Sequence, residues 1–150
     1  MATTIGPLHV RRSIFIEALP ERVWREFESA DHLRAWLNLG HTVHQLESKV
    51  GSQVSLSVQI DGDRRYFGGE VLAVLPQQEL TFESNWQPPY DWPVPTFWTI
   101  RLTPLYGGTM VEILHHGFER LGPEAAGALQ GYEEGWGMQH LTTLRSLIAV

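Results

Sequence analysis

The residues with chemistry to offer are histidines. There are seven, with no cysteine to join them, so thiol nucleophiles, disulfides and Cys-ligated zinc are excluded. His41 and His44 stand three apart on a stretch with β pattern, and His115 and His116 are adjacent in another. Alternation along a strand sends each pair to opposite faces, which argues against a local metal site. Zinc would have to be assembled from His115 and His140 with a carboxylate; no metal and no cofactor are expected. The sequence contains no G-x-S-x-G, no P-loop and no H-E-x-x-H. What remains is a pair of imidazoles on apolar faces. Glu112 should prefer water, which turns His115 inward. His140 shares a helical face with Tyr132 and Trp136. Such a histidine is either an ordinary core residue, satisfied by a backbone carbonyl or a tyrosine, or a polar anchor in an apolar cavity. A neutral imidazole carries one donor and one acceptor, enough to orient an apolar guest. It serves as a general acid or base if its pKa lies near neutrality. Glu70 and Glu112 are expected to face solvent.

Six Trp, four Tyr and six Phe accompany these histidines. Each ring buries about 150–250 Å², so the chain has ample core material and enough left over to line a pocket. The 150 residues suit a single domain over 1–150, and the net charge of −6 with scattered Lys and Arg argues against a nucleic-acid partner. No apolar run reaches the length of a membrane span. Residues 1–7 lack the features of a signal peptide, and a cytoplasmic location is expected.

The elements that must position these side chains follow from periodicity. Leu8–Glu17 reads as a strand. Pro20, suited to a first helical turn, opens a short helix carrying Val23, Trp24 and Phe27. Asp31 is the expected N-cap of a second helix, with Leu33, Trp36 and Leu37 inward, and Gly40 closes it. From 41 to 117 the pattern is β. Val54, Leu56, Val58 and Ile60 alternate along 53–60, Asp61-Gly62-Asp63 signals a hairpin, and Gly68-Gly69 suggests a bulge or bend. Leu80, Phe82, Ser84 and Trp86 share one face of the next strand. The segment 87–95, with four prolines, reads as a stiff connection or as a lid carrying Tyr90 or Trp92. Trp98, Ile100 and Leu102 face inward on the following strand, and Val111, Ile113 and His115 on the last. Pro123–Ile148 is predicted as one long helix with Leu129, Tyr132, Trp136, His140, Thr143 and Leu147 on its inner face. Gly127, Gly131 and Gly135 recur along it at a cost of about 1 kcal/mol each, which implies a bend or a closely approaching body.

Strand, two short helices, six strands and a long helix form a helix-grip arrangement. This is an α+β fold in which a curved antiparallel sheet of about six or seven strands wraps a C-terminal helix. The stretch IEALPERVWREFESADHLRAWL (16–37) resembles the opening of START-like, Bet v 1-like (SRPBCC) domains. It is most similar to the branch named for the Hsp90 ATPase activator homologue (AHSA1-type), as are GEVLAVLPQQELTFES (69–84), GGTMVEILHHGF (107–118) and Gly135-Trp136. The resemblance implies a cavity between sheet and last helix, in which relatives carry lipids, sterols, polyketides or hormones. Some relatives catalyse cyclisation or hydrolysis, and some stimulate Hsp90. The expected contacts for a small apolar or aromatic molecule are Trp36, Phe82, Trp86, Trp98, Ile100, Ile113, His115, Tyr132, Trp136 and His140. Three roles are open: a ligand-binding module, a cyclase- or hydrolase-like enzyme on the same cavity, and a chaperone-binding module. A homodimer through the glycine stripe or a sheet edge is a further expectation.

Overall fold

The computed structural model describes residues 9–88, 92–133 and 137–149, with the side chains of 124 and 130–133 outside that description. The elements in order are β1 (His9–Ile16), α1 (Pro20–Trp24), a 3-10 turn (Arg25–Phe27), α2 (Ala30–Leu37), β2 (Thr42–Gln45), β3 (Gln53–Ile60), β4 (Asp63–Leu75), β5 (Glu79–Trp86), β6 (Thr96–Leu105), β7 (Gly108–His116), a 3-10 segment (Phe118–Glu124), α3 (Ala125–Glu133) and α4 (Met138–Ile148). The strands make one antiparallel sheet in the order β1-β7-β6-β5-β4-β3-β2. Only the helical excursion between β1 and β2 takes the chain from one edge to the other. Every later strand lies beside its predecessor through a hairpin.

Turn chemistry sets the register. Asp61 and Gly62 both have positive φ, 51° and 84°, as a two-residue hairpin turn requires, and Ile60 pairs with Asp63. Curvature enters at two register shifts, between Val43 and Gln45 and between Val71 and Ala73. The second lies a few residues beyond the expected Gly68-Gly69. Gly68 serves a different need, because a Cβ there would overlap the Val54 carbonyl oxygen of the neighbouring strand.

The inward rows of the sheet meet α2 and α4 in one main core. It contains Leu56, Phe67, Leu80, Phe82, Trp98, Ile100, Val111 and Ile113 from the strands, Leu33, Trp36 and Leu37 from α2, and Leu141, Leu144 and Ile148 from α4. Ser29, not Asp31, caps α2, its side chain accepting from the His32 N–H at 3.1 Å. A second, smaller cluster joins Val10, Phe118, Leu121 and Ala125, with Trp92, Val94, Ala128 and Leu129 packed on it.

The expected single helix over Pro123–Ile148 is not what forms. A 3-10 segment containing Gly122 in a non-helical conformation leads into α3, and α4 begins afresh after Gly137 at φ 94°, ψ −34°. A left-handed residue cannot continue a right-handed helix, so the helical phase restarts there. The buried face of α4 is accordingly His140, Leu141, Leu144 and Ile148, with Thr143 and Leu147 at its margin. This face is turned by most of one residue's step from that expected of an unbroken helix. Glu112 departs from expectation as well. It lies on the outer face as foreseen, but the Arg11 guanidinium covers it in an ion pair and leaves it 9% exposed.

Candidate functional site

Cross-strand pairing assembles a belt of rings on the concave face. Phe82 of β5 stands opposite Trp98 of β6, and Trp98 opposite His115 of β7, with ring centroids 5.3 Å and 5.7 Å apart. Phe67 and Trp86 are likewise partners across β4 and β5, at 4.7 Å. Trp92, from the proline-rich connection, meets Trp86 edge-on at 6.5 Å. At the other side His41 meets Phe67 at 5.9 Å and Trp98 at 5.7 Å, and stacks on His140 at 5.3 Å with planes 25° apart. The belt therefore runs from the loop before β2, across four strands, to the first turn of α4.

The expected contact residues divide. Phe82, Trp86, Trp98, His115 and His140 are joined through these rings. Ile100 and Ile113 are paired with each other and fully buried, lying in the same inward rows as Trp98 and His115. Trp36 belongs elsewhere. It packs on Phe27 at 5.2 Å, which in turn stacks on Trp24 at 4.7 Å, and its indole N–H donates to the Glu26 carbonyl. Trp36 thus anchors α2 to the preceding turn. The side chain of Tyr132 and all of Trp136, together with Tyr90 and Gly135, lie outside the described residues.

His41 was missed. On a strand with His44 its side chain would have had no fixed destination. It instead precedes β2, immediately after Gly40 at φ 73°, where strand alternation does not apply. His44 stays outside on Ser57, 2.7 Å away. A helix end, a glycine and then a histidine was the available signal, since the turn redirects the chain back over the core.

Each inward histidine is held neutral by burial. His115 is pushed well below the ordinary value, by desolvation first and by the nearby His116 second. The Thr96 hydroxyl donates to the Ser84 carbonyl at 2.9 Å and lies 2.7 Å from His115 Nε2. Its one proton being committed, Thr96 accepts from Nε2–H, which fixes the tautomer. His140 is lowered by burial against opposing pulls from the Gly137 and Leu39 carbonyls. His41 falls to about 4, through desolvation and then the His140 charge, against an opposing pull from the Leu37 carbonyl. Two polar atoms of this inner surface, His41 Nε2 and Ser84 Oγ, are buried with no hydrogen-bond partner among the described residues. No group of three potential metal ligands occurs among those residues. Beside His41 a surface cleft of about 360 Å³ is lined by Asn38, Gly40, Thr42, Ser57, Val58, Gln59 and Arg64.

The family model described as Activator of Hsp90 ATPase homolog 1-like protein matches residues 17–149. The chain belongs to this family. Solved structures agree on the fold. Protein MLL2253 from Mesorhizobium loti is 26% identical over 94% of this chain and 96% of its own, with a TM-score of 0.68. The Aha1 dimer from Colwellia psychrerythraea is 16% identical over 95% and 97%, with a TM-score of 0.62. DynU16, a protein in the dynemicin biosynthetic locus, is 20% identical over 95% of this chain and 47% of its own, with a TM-score of 0.61. No curated protein matches the chain.

Proposed function

We propose that this protein binds a small apolar or aromatic molecule between the concave sheet and its C-terminal helices. The observation that carries the reading is the combination within the ring belt: contiguous aromatic surface interrupted by two buried polar atoms, His41 Nε2 and Ser84 Oγ, without partners among the described residues. Leaving such an atom unsatisfied costs about 1–3 kcal/mol, and a guest that meets it removes that cost. The shared fold of DynU16, a protein in the dynemicin biosynthetic locus, accords with this. A purely binding role is favoured over acid–base catalysis because a histidine near pKa 4 is a weak base at neutral pH. Titrating the protein with naphthalene-scale aromatic molecules while following tryptophan emission tests the reading. A saturable change is expected, since Trp86 and Trp98 lie in the belt; no saturable change with any of them overturns it.

A second reading rests on the family itself. A protein-binding role toward Hsp90 predicts an altered Hsp90 ATPase rate on addition of this protein, and an unchanged rate removes it.

A further inference from the structure

We infer that the surface cleft at the start of β2 is a binding site for a small organic carboxylate, held by the guanidinium of Arg64. The inference is independent of the ring-belt reading, because of the belt only His41 reaches this cleft.

The cleft exists because β2 is short. Its first residue, Thr42, pairs with Ser57, and β3 continues past that pair through Val58, Gln59 and Ile60. The chain returns from α2 to Thr42 through Gly40 at φ 73°. Asn38 clamps the return, its side-chain oxygen accepting the Val43 N–H at 2.7 Å. The space left between this return and the end of β3 is the cleft of about 360 Å³, and none of the residues lining it is acidic. That absence stands out in a chain of net charge −6.

Arg64 is fixed there without being neutralised. Its Nη1 donates to Ser57 Oγ at 2.7 Å, and Ser57 Oγ lies 2.7 Å from His44 Nε2. A guanidinium can only donate, so the Ser57 oxygen accepts from it and gives its own proton to His44. Ser57 is fully buried, which makes it a firm anchor, and the anchor carries no negative charge. By contrast Arg11, Arg22, Arg34, Arg65 and Arg101 each meet a carboxylate. Asp63, the acid beside Arg64 in the chain, goes to Arg65 instead. Arg64 makes no other hydrogen bond among the described residues, so the Nε–Nη2 side of its fork is open. Two parallel N–H groups at that spacing match the two oxygens of one carboxylate. The donors around it are neutral. Asn38 has committed its oxygen to Val43 and has its NH2 group left to give, while Thr42 and Gln59 bring a hydroxyl and an amide. One cation among neutral donors balances one negative charge, which selects a carboxylate over a dianionic phosphate.

Heteronuclear amide spectra of the full chain, titrated separately with benzoate, benzamide and phenyl phosphate, test the assignment. Benzamide has the shape of benzoate without its charge. Benzoate is expected to shift the amides of Gly40, Thr42, Gln59 and Arg64 saturably. It should bind at least about tenfold more tightly than benzamide, the scale of a hydrogen bond to a charged group. Arg64→Gln, which keeps a donor but no charge, should lose about tenfold in benzoate affinity and nothing for benzamide. Arg64→Lys, which keeps the charge but no fork, should restore only part of that loss. The unshifted remainder of each spectrum shows whether a variant is folded, and two variants of opposite chemistry keep the comparison usable if one is not. The site is overturned by no saturable shift with benzoate, by equal affinities for benzoate and benzamide, or by full benzoate affinity in Arg64→Gln. Equal shifts at the exposed Arg25 overturn it too, since any surface arginine would then serve. Phenyl phosphate binding more tightly than benzoate overturns the carboxylate class.

Discussion

At the scale of single residues the protein has spent its polar groups where they are costly. His41 illustrates the consequence for stability. Its ordinary pKa of 6.5 falls to about 4 in the folded chain, so between those values the unfolded chain holds more protons than the folded one. Stability is therefore full above about pH 6.5, declines as pH falls through that window, and loses nothing more from this group below about 4. A drop of this size corresponds to about 3 kcal/mol at about 1.36 kcal/mol per unit. His115 and His140 are lowered too and add slopes of the same sign. Urea unfolding from pH 7.5 to 4.5 should show falling stability in wild type and a shallower fall in His41→Phe. Parallel pH profiles for the two proteins would mean that burial does not hold this histidine neutral.

At the scale of elements the glycines divide into those the fold requires and those it does not. Gly68 is required, because any Cβ there meets the Val54 carbonyl. Gly68→Ala is expected to destabilise by several kcal/mol, through overlap with backbone that cannot rotate away. Gly127 is helical and a Cβ there meets nothing within 4 Å, so Gly127→Ala should stabilise by up to about 1 kcal/mol through helix propensity. Thermal melts of both variants decide the matter, and a destabilised Gly127→Ala would show that something outside the chain packs on that position. The same contrast explains what the sequence disclosed. The β3 range was legible end to end because Gln53–Ile60 alternates and Asp61-Gly62 admits one kind of turn. Phe82, Trp98 and His115 were legible as inward for the same reason. The break in the C-terminal helix was obscured, since glycines spaced four apart preserve helical periodicity and only the backbone angles of Gly137 reveal the interruption. His41 and Phe67 could not be brought together on paper. Their contact depends on how β2, β3 and β4 pair, and on a loop that obeys neither helical nor strand periodicity.

At the scale of the whole molecule the break matters more than the lost helix length, because it separates two unequal bodies of packing. α4 closes the main core with His140, Leu141, Leu144 and Ile148 buried. α3 rests on the smaller cluster through Ala125, with Ala128 and Leu129 only partly covered. Local opening follows buried apolar contact, so the grip is secured at the α4 end and lightly held at the α3 end, where Trp92 also packs. A guest in the ring belt would then enter beside α3, and its binding would tighten that end most. Hydrogen exchange offers the check. In the free protein the amides of Ala125–Glu133 are expected to exchange markedly faster than those of Leu141–Ile148. A saturating naphthalene-scale molecule that shifts the tryptophan emission should slow the α3 amides by about tenfold or more while leaving the central strands β5, β6 and β7 nearly unchanged. Uniform protection of both helices in the free protein, or slowing confined to α4 on binding, would place the entrance at the other end.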